Sequence, residues 1–175
     1  MVERALLLRG PRLPDPRPRS APESGAAPPP ALILGGQGGS RSLALGARFA
    51  DEYNTFNKTP EECRVIRREL DDLCRREGRE RIPLSLMTGL LVGQDEVDLL
   101  DRAARLAEWR GHAGGTESFL EALPQSFMTG TPDEVTERLG ELAEAGVERV
   151  MLQHHLHREL DVVELVGRRL AAAVA

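Results

Sequence analysis

The chain has 175 residues, 41% hydrophobic and 29% charged, a balance that fits a soluble globular protein large enough to bury a core. The formal net charge of −5 argues against a nucleic-acid surface. No apolar run reaches the length of a membrane span, and Pro11, Pro14, Pro16 and Pro18 interrupt any signal-peptide core, so a cytoplasmic protein is expected.

Residues 1–30 hold eight of the twelve prolines and little to bury, so an extended or disordered proline-rich arm is expected there. It reads as the end of a loop whose beginning is missing. The domain proper is expected over residues 31–175. Ala31 to Leu34 is a buried strand that runs into Gly35-Gly36-Gln37-Gly38-Gly39-Ser40, and a helical pattern starts at once. The unpaired N–H groups of a helix N-terminus carry partial positive charge and attract anions. Glycine lets a backbone approach a ligand closely. Phosphate binding is therefore one reading of Gly35 to Ser40, and a plain glycine-rich βα corner is the other.

The helix over Gly39–Ala50 should turn Leu43, Ala44, Ala47 and Phe49 inward. Glu52 to Phe56 is a short second strand. Thr59-Pro60-Glu61-Glu62 opens a helix with a capping box and a proline in the first turn. Val65, Ile66, Leu70 and Leu73 should line its buried side, with Arg67, Arg68, Arg75 and Arg76 on solvated faces. Cys63 and Cys74 lie three turns apart on this helix and cannot bridge, so they read as packing thiols. Gly78 ends the helix.

Ile82 to Val92 is a third strand with Leu84, Leu86, Thr88 and Leu90 on one side. A helix runs from Asp95 through Trp109, offering Val97, Leu100, Ala104 and Leu106 for burial. A short helix follows over Ser118–Leu123. Thr131-Pro132-Asp133-Glu134 repeats the earlier helix opening, and Val135, Leu139 and Leu142 follow on one face. Val147 to Leu152 is a fourth strand, and a last helix spans Leu160–Val174. Strands alternating with helices predict a parallel sheet with crossover helices. Four βα units fit either an open doubly wound sheet or half of a (β/α)8 barrel.

A dinucleotide fingerprint needs a third glycine where Arg41 stands, and no Gly-Lys-Ser/Thr follows to make a P-loop. His154, His155 and His157 have no zinc-ligand spacing, so no metal is expected. In parallel α/β folds the chemistry sits at the C-terminal strand ends. That puts Gln153 and His154, after the last strand, forward as substrate-pocket residues, with a solvated loop as the plain alternative.

In combination, these segments resemble the bacterial luciferase-like monooxygenase family, and more closely its subgroup that uses the deazaflavin coenzyme F-420. The matching residues are Pro28 to Gly39, then Leu43, Ala47-Arg48, Ala50-Asp51 and Asn54, and then Gly130-Thr-Pro-Asp-Glu-Val135 with Arg138-Leu139 and Ala145-Gly-Val147 through Gln153. The resemblance implies an α/β fold: the C-terminal half of a (β/α)8 TIM barrel, four parallel βα units after the proline-rich arm. Gln94 to Met128 would be an insertion before the final unit.

The resemblance further implies a fragment of an oxidoreductase moving hydride between F-420 and a small organic substrate, incomplete and inactive alone. FMN is the alternative cofactor, for a flavin-dependent monooxygenase. A non-catalytic half-barrel that binds anions is the alternative of another class. Gly35, Gly36, Gln37, Gly38, Gly39 and Ser40 would cradle the cofactor's phosphate, and Asn54 would face the barrel mouth beside them. Glu52 and Tyr53 depart from the family, which commonly has Gly and Trp there. The family's catalytic acid or base would lie in the missing N-terminal half, so no residue here is assigned as catalytic. Half a parallel barrel leaves two strand edges bare, at Ala31–Leu34 and Val147–Leu152. Bare edges invite pairing, so a homodimer or a complementing N-terminal half-barrel is expected as partner.

Overall fold

The computed structural model describes residues 30–171. The arm expected over residues 1–30 therefore lies, but for Pro30, outside the described residues. One compact unit begins at Ala31. Its elements run β1 (Ile33–Gly35), α1 (Ser40–Phe49), β2 (Glu52–Phe56), α2 (Pro60–Arg76), β3 (Leu84–Val92), α3 (Glu96–Trp109), α4 (Thr116–Ala122), β4 (Met128–Gly130), α5 (Pro132–Glu144), β5 (Arg149–His154) and α6 (Leu160–Leu165). The last helix continues through a π-helical turn at Val166–Leu170.

All strand pairs are parallel. Strand β2 lies between β1 and β3, and β5 lies against β3. Leu90 pairs with both Met128 and His154, so β4 and β5 take opposite edges of β3. On the β4 edge, β2 occupies β3 up to Met87 and β4 takes over at Leu90. The principal order is thus β1-β2-β3-β5, one βα crossover after another, with the three-residue β4 as an added splint. Among the described residues β1 pairs only with β2, and β5 only with β3, so both outer edges are bare as expected.

Alternate residues of a strand face opposite sides. Leu34, Tyr53, Leu84, Leu86, Val150 and Leu152 pack with the helices, in one core with Leu43, Leu70, Val135 and Leu142. The opposite set forms an inner face: Gly35, Asn54, Ser85, Gly89, Met151 and Gln153. A second, smaller core joins Leu91 to Ala103, Leu106, Phe119 and Phe127 beyond the C-terminal end of β3. It is built by the segment that the resemblance marked as an insertion.

The helix starts follow the sequence. The Glu62 N–H donates to Thr59 Oγ1 and the Thr59 N–H donates to Glu62, closing the capping box. That backbone donor holds the Glu62 carboxyl below the usual range, and Thr131 does the same for Glu134. Cys63 and Cys74 are free and buried, and burial pushes the Cys63 thiol up to about 11.

Several expected faces are rotated. Val65, Val97, Leu100 and Phe49 are exposed, and so is Ala44. In α2 the inward positions are Cys63, Ile66, Arg67, Leu70 and Cys74. Arg67, expected on a solvated face, is buried: Nη1 donates to the Ile82 carbonyl at 2.9 Å, and the guanidinium pairs with Asp71. In α3 it is Arg102, Ala103, Leu106 and Ala107 that turn inward. Gln153 and His154, expected just after the last strand, belong to β5, and β4 has no counterpart in the expected strands.

Candidate functional site

The β1–α1 turn is built around Tyr53. This side chain is fully buried beneath the loop, and its hydroxyl accepts from the Gly38 N–H at 3.2 Å and lies 2.8 Å from Ser42 Oγ. A Cβ on Gly36 would stand 2.4 Å from that hydroxyl, and one on Gly38, where φ is +79°, would stand 2.6 Å from Ile66. Both glycines are therefore required by the protein's own packing. Gly39 differs. Its φ of −72° suits any residue, and a Cβ there would meet nothing within 4 Å.

Gly39 is the N-cap of α1 and supplies no capping side chain. The first turn of α1 contains no acid, and the N–H groups of Gly39, Ser40 and Arg41 bond to nothing among the described residues. The other helices of ten or more residues begin differently. In α2, α3 and α5 the cap is Thr59, Asp95 or Thr131, and each has two acidic residues in its first turn. The exposed N-terminus of α1 thus keeps the free donors and positive end that an anion takes. Gly35, Gln37, Gly39 and Ser40 lie exposed along it, while Gly36 and Gly38 form its floor. For the phosphate of a flavin or deazaflavin, this donor set fits.

Asn54 sits mid-strand on the inner face, next to Gly35 in register, and its Nδ2 donates to Ser85 Oγ at 2.9 Å. Its carbonyl accepts from the Gly36 N–H, which ties the turn to β2. Glu52 is 6% exposed, and its Oε2 meets Arg149 Nη1 at 3.1 Å while Oε1 has no partner among the described residues. This pair spans the inner face from β2 to β5 across β3.

At the far end of β5 the strand period separates two predicted neighbours. Gln153 pairs with Gly89 and lies on the inner face. His154 pairs with Leu90 on the helix side, where its Nε2 is buried without a partner among the described residues. The residue just past this strand end is His155, which the sequence offered only as part of a histidine cluster without zinc-ligand spacing. Its ring stacks on Phe127 at 5.8 Å and 17°, and Trp109 lies 6.3 Å away. Phe127 in turn covers Gly89, where a Cβ would stand 2.0 Å from the ring. Burial lowers the His155 pKa, assisted by Arg110 and His154. His155 lies one residue past β5, and its place is set by the Phe127 ring, a partner distant in the chain.

The cluster is fastened from outside by Arg102. This side chain is 4% exposed and reaches Asp98 at 2.9 Å, Glu159 at 2.8 Å and Asp161. Burial pushes the Asp98 carboxyl up, but bonds from Arg102 and the Gln94 N–H outweigh it and leave it low. Arg102 also holds Asp161 low. Two of these acids flank the start of α6, so α3 is clamped to the loop that follows β5.

No family model matches the chain, and no curated protein does. Solved structures do match. A coenzyme F420 dependent tetrahydromethanopterin reductase from Methanopyrus kandleri superposes with a TM-score of 0.59 at 18% identity, over 79% of this chain and 49% of that one. A monooxygenase from Streptomyces bottropensis gives 0.64 at 14% identity, over 83% and 49%. An EDTA monooxygenase from Chelativorans sp. BNC1 gives 0.60 at 15%, over 84% and 45%. The chain spans about half the length of these proteins. With parallel strands in the order β1-β2-β3-β5 and helices between them, it has the fold of the C-terminal half of a luciferase-like (β/α)8 barrel.

Proposed function

We propose that this chain is the phosphate-binding half of a luciferase-like oxidoreductase that uses coenzyme F-420, with FMN as the alternative cofactor. The observation that carries the reading is the N-terminus of α1: among the longer described helices, it alone has neither a capping side chain nor a first-turn acid. Two of the matching structures are named for F420 and one for a modified FMN, which supports the same cofactor class. Bound there, the cofactor would supply the hydride chemistry. The chain's own part is to hold the phosphate on the N–H groups of Gly39, Ser40 and Arg41, and to keep that loop rigid through Tyr53 and Asn54.

Gln153 faces the inner side and is a candidate for contact with a small-molecule substrate; His154 lies on the other side and supports β5. The two bare strand edges make a second copy, or a complementing N-terminal half-barrel, the partner this half needs.

Gly39→Asp tests the phosphate site. The new carboxylate can cap α1 without strain, since nothing lies within 4 Å of its Cβ. Stability is expected to rise by a few tenths of a kcal/mol, about the difference between Gly and Asp at an N-cap. Binding of F-420 and of FMN, followed by cofactor fluorescence in the complemented protein, is expected to fall at least about tenfold, since 1.4 kcal/mol of charge repulsion suffices. Equal binding by the variant sinks the site. Failure of the unmodified, complemented protein to bind either cofactor sinks the oxidoreductase reading.

A further inference from the structure

A cavity of about 350 Å³ opens beside the inner-face end of β5, lined by Trp109, His155, Leu156, His157, Arg158 and Glu159. That volume lies in the range that holds small organic ligands. Trp109 is 60% exposed, a large apolar surface for a residue at the lip of a cavity. Its indole and the His155 imidazole are tilted by 37°, like an open book. His155 cannot swing freely, because Phe127 stacks behind it. Phe127 is itself held between Gly89 and the Arg110 guanidinium, which lies 5.3 Å from its ring centroid.

The rim has a sign. Glu159, its one acid, is occupied by Arg102 at 2.8 Å and by Arg105 at 2.7 Å. Arg158 makes no ion pair among the described residues. The His155 ring itself is held toward its neutral form, chiefly by burial, so its face is aromatic and uncharged. A flat apolar ring is recognised by aromatic faces, and a carboxylate by a free guanidinium.

We infer that this cavity binds planar aromatic carboxylates, the ring lying against Trp109 and His155 and the carboxylate meeting Arg158. The inference names a substrate class for the enzyme proposed above. Binding in this cavity needs no cofactor.

The chain's single tryptophan is Trp109, so intrinsic fluorescence reports this cavity directly. Titration of the full chain with 2-naphthoate is expected to quench Trp109 saturably, with a Kd below about 1 mM. Competition should show cyclohexanecarboxylate, of the same charge but without the flat ring, and 2-naphthalenemethanol, without the charge, each binding about tenfold more weakly. Arg158→Gln, on the surface, should keep the melting transition and bring 2-naphthoate down to the affinity of the neutral alcohol. Ligand-observed NMR on Trp109→Phe checks that the quenching reports binding. Unsaturable quenching, equal affinity for the three probes, or an Arg158→Gln variant with unchanged affinity would each overturn the inference. Saturable binding of 2-naphthoate by a protein that takes neither F-420 nor FMN leaves this site standing and removes the cofactor.

Discussion

Arg102→Ala is expected to lower the unfolding free energy by about 3 kcal/mol, the lower end of the cost of stripping one partner from a buried ion pair. The lower end applies because the acids it leaves behind reach water in part: the side chains of Asp98, Glu159 and Asp161 are 26%, 20% and 56% exposed. Urea denaturation followed by far-UV circular dichroism measures the loss. The pH dependence separates this cause from simple loss of packing. Asp98 and Asp161 are held below their ordinary pKa, so the stability they confer is present above about pH 4 and is lost as pH falls through their lowered values. Without the guanidinium, the same acids repel one another until they are protonated. The gap between parent and variant should therefore narrow as pH drops from 7 toward 3. A gap constant across that range would mean that Arg102 acts only as filler.

The second large effect belongs to Gly89→Ala. The added Cβ would fall 2.0 Å from the Phe127 ring, far inside contact distance. The ring cannot retreat with its backbone, because Thr88 Oγ1 donates to the Ser126 carbonyl at 2.7 Å and Arg138 Nη1 to the Phe127 carbonyl at 2.9 Å. Overpacking of this kind costs about 1–3 kcal/mol. Moving Phe127 also removes the support behind His155, so the Trp109 emission spectrum should change with it. Gly140→Ala is the control. Nothing stands within 4 Å of a Cβ at that position. In mid-helix the change is expected to add up to about 1 kcal/mol of stability. If Gly89→Ala proved as mild as Gly140→Ala, the packing of Phe127 on β3 would be misassigned.

Much of the fold was legible because the signals were local. Thr59-Pro60 and Thr131-Pro132 marked helix starts, Gly78 an end, and the alternation of Leu84, Leu86 and Leu90 a strand, though β3 is buried on both faces. What failed needed distant partners. Arg67 read as solvated because a charge is normally so, and Arg102 drew no reading at all. They are buried because Ile82, Asp71 and Asp98 wait for them, and Glu159 and Asp161 as well for Arg102. Val97, Leu100 and Ala104 read as core because they are apolar, yet α3 turns Ala103, Leu106 and Ala107 inward instead. Strand β4 is too short to show a period, and it exists because β2 leaves part of an edge of β3 free.

In the candidate site, the glycine run answers to two different demands. Gly39 and the donors after it face outward, while Gly36 and Gly38 answer to Tyr53 and Ile66. His155 was weighed only within a histidine cluster, because its place depends on Phe127 and Trp109, which are distant in the chain.

The hydroxyl of Tyr53 beneath Gly36 has a consequence for sequence variation. The two positions share one small volume, so they are free to change only together. Related chains that carry a shorter or flatter side chain at position 53 should tolerate alanine or serine at position 36, and those that keep tyrosine should not. The glycine-rich run would then vary with the residue under it, and much of its apparent signature would record the shape of a neighbouring strand as well as the ligand above.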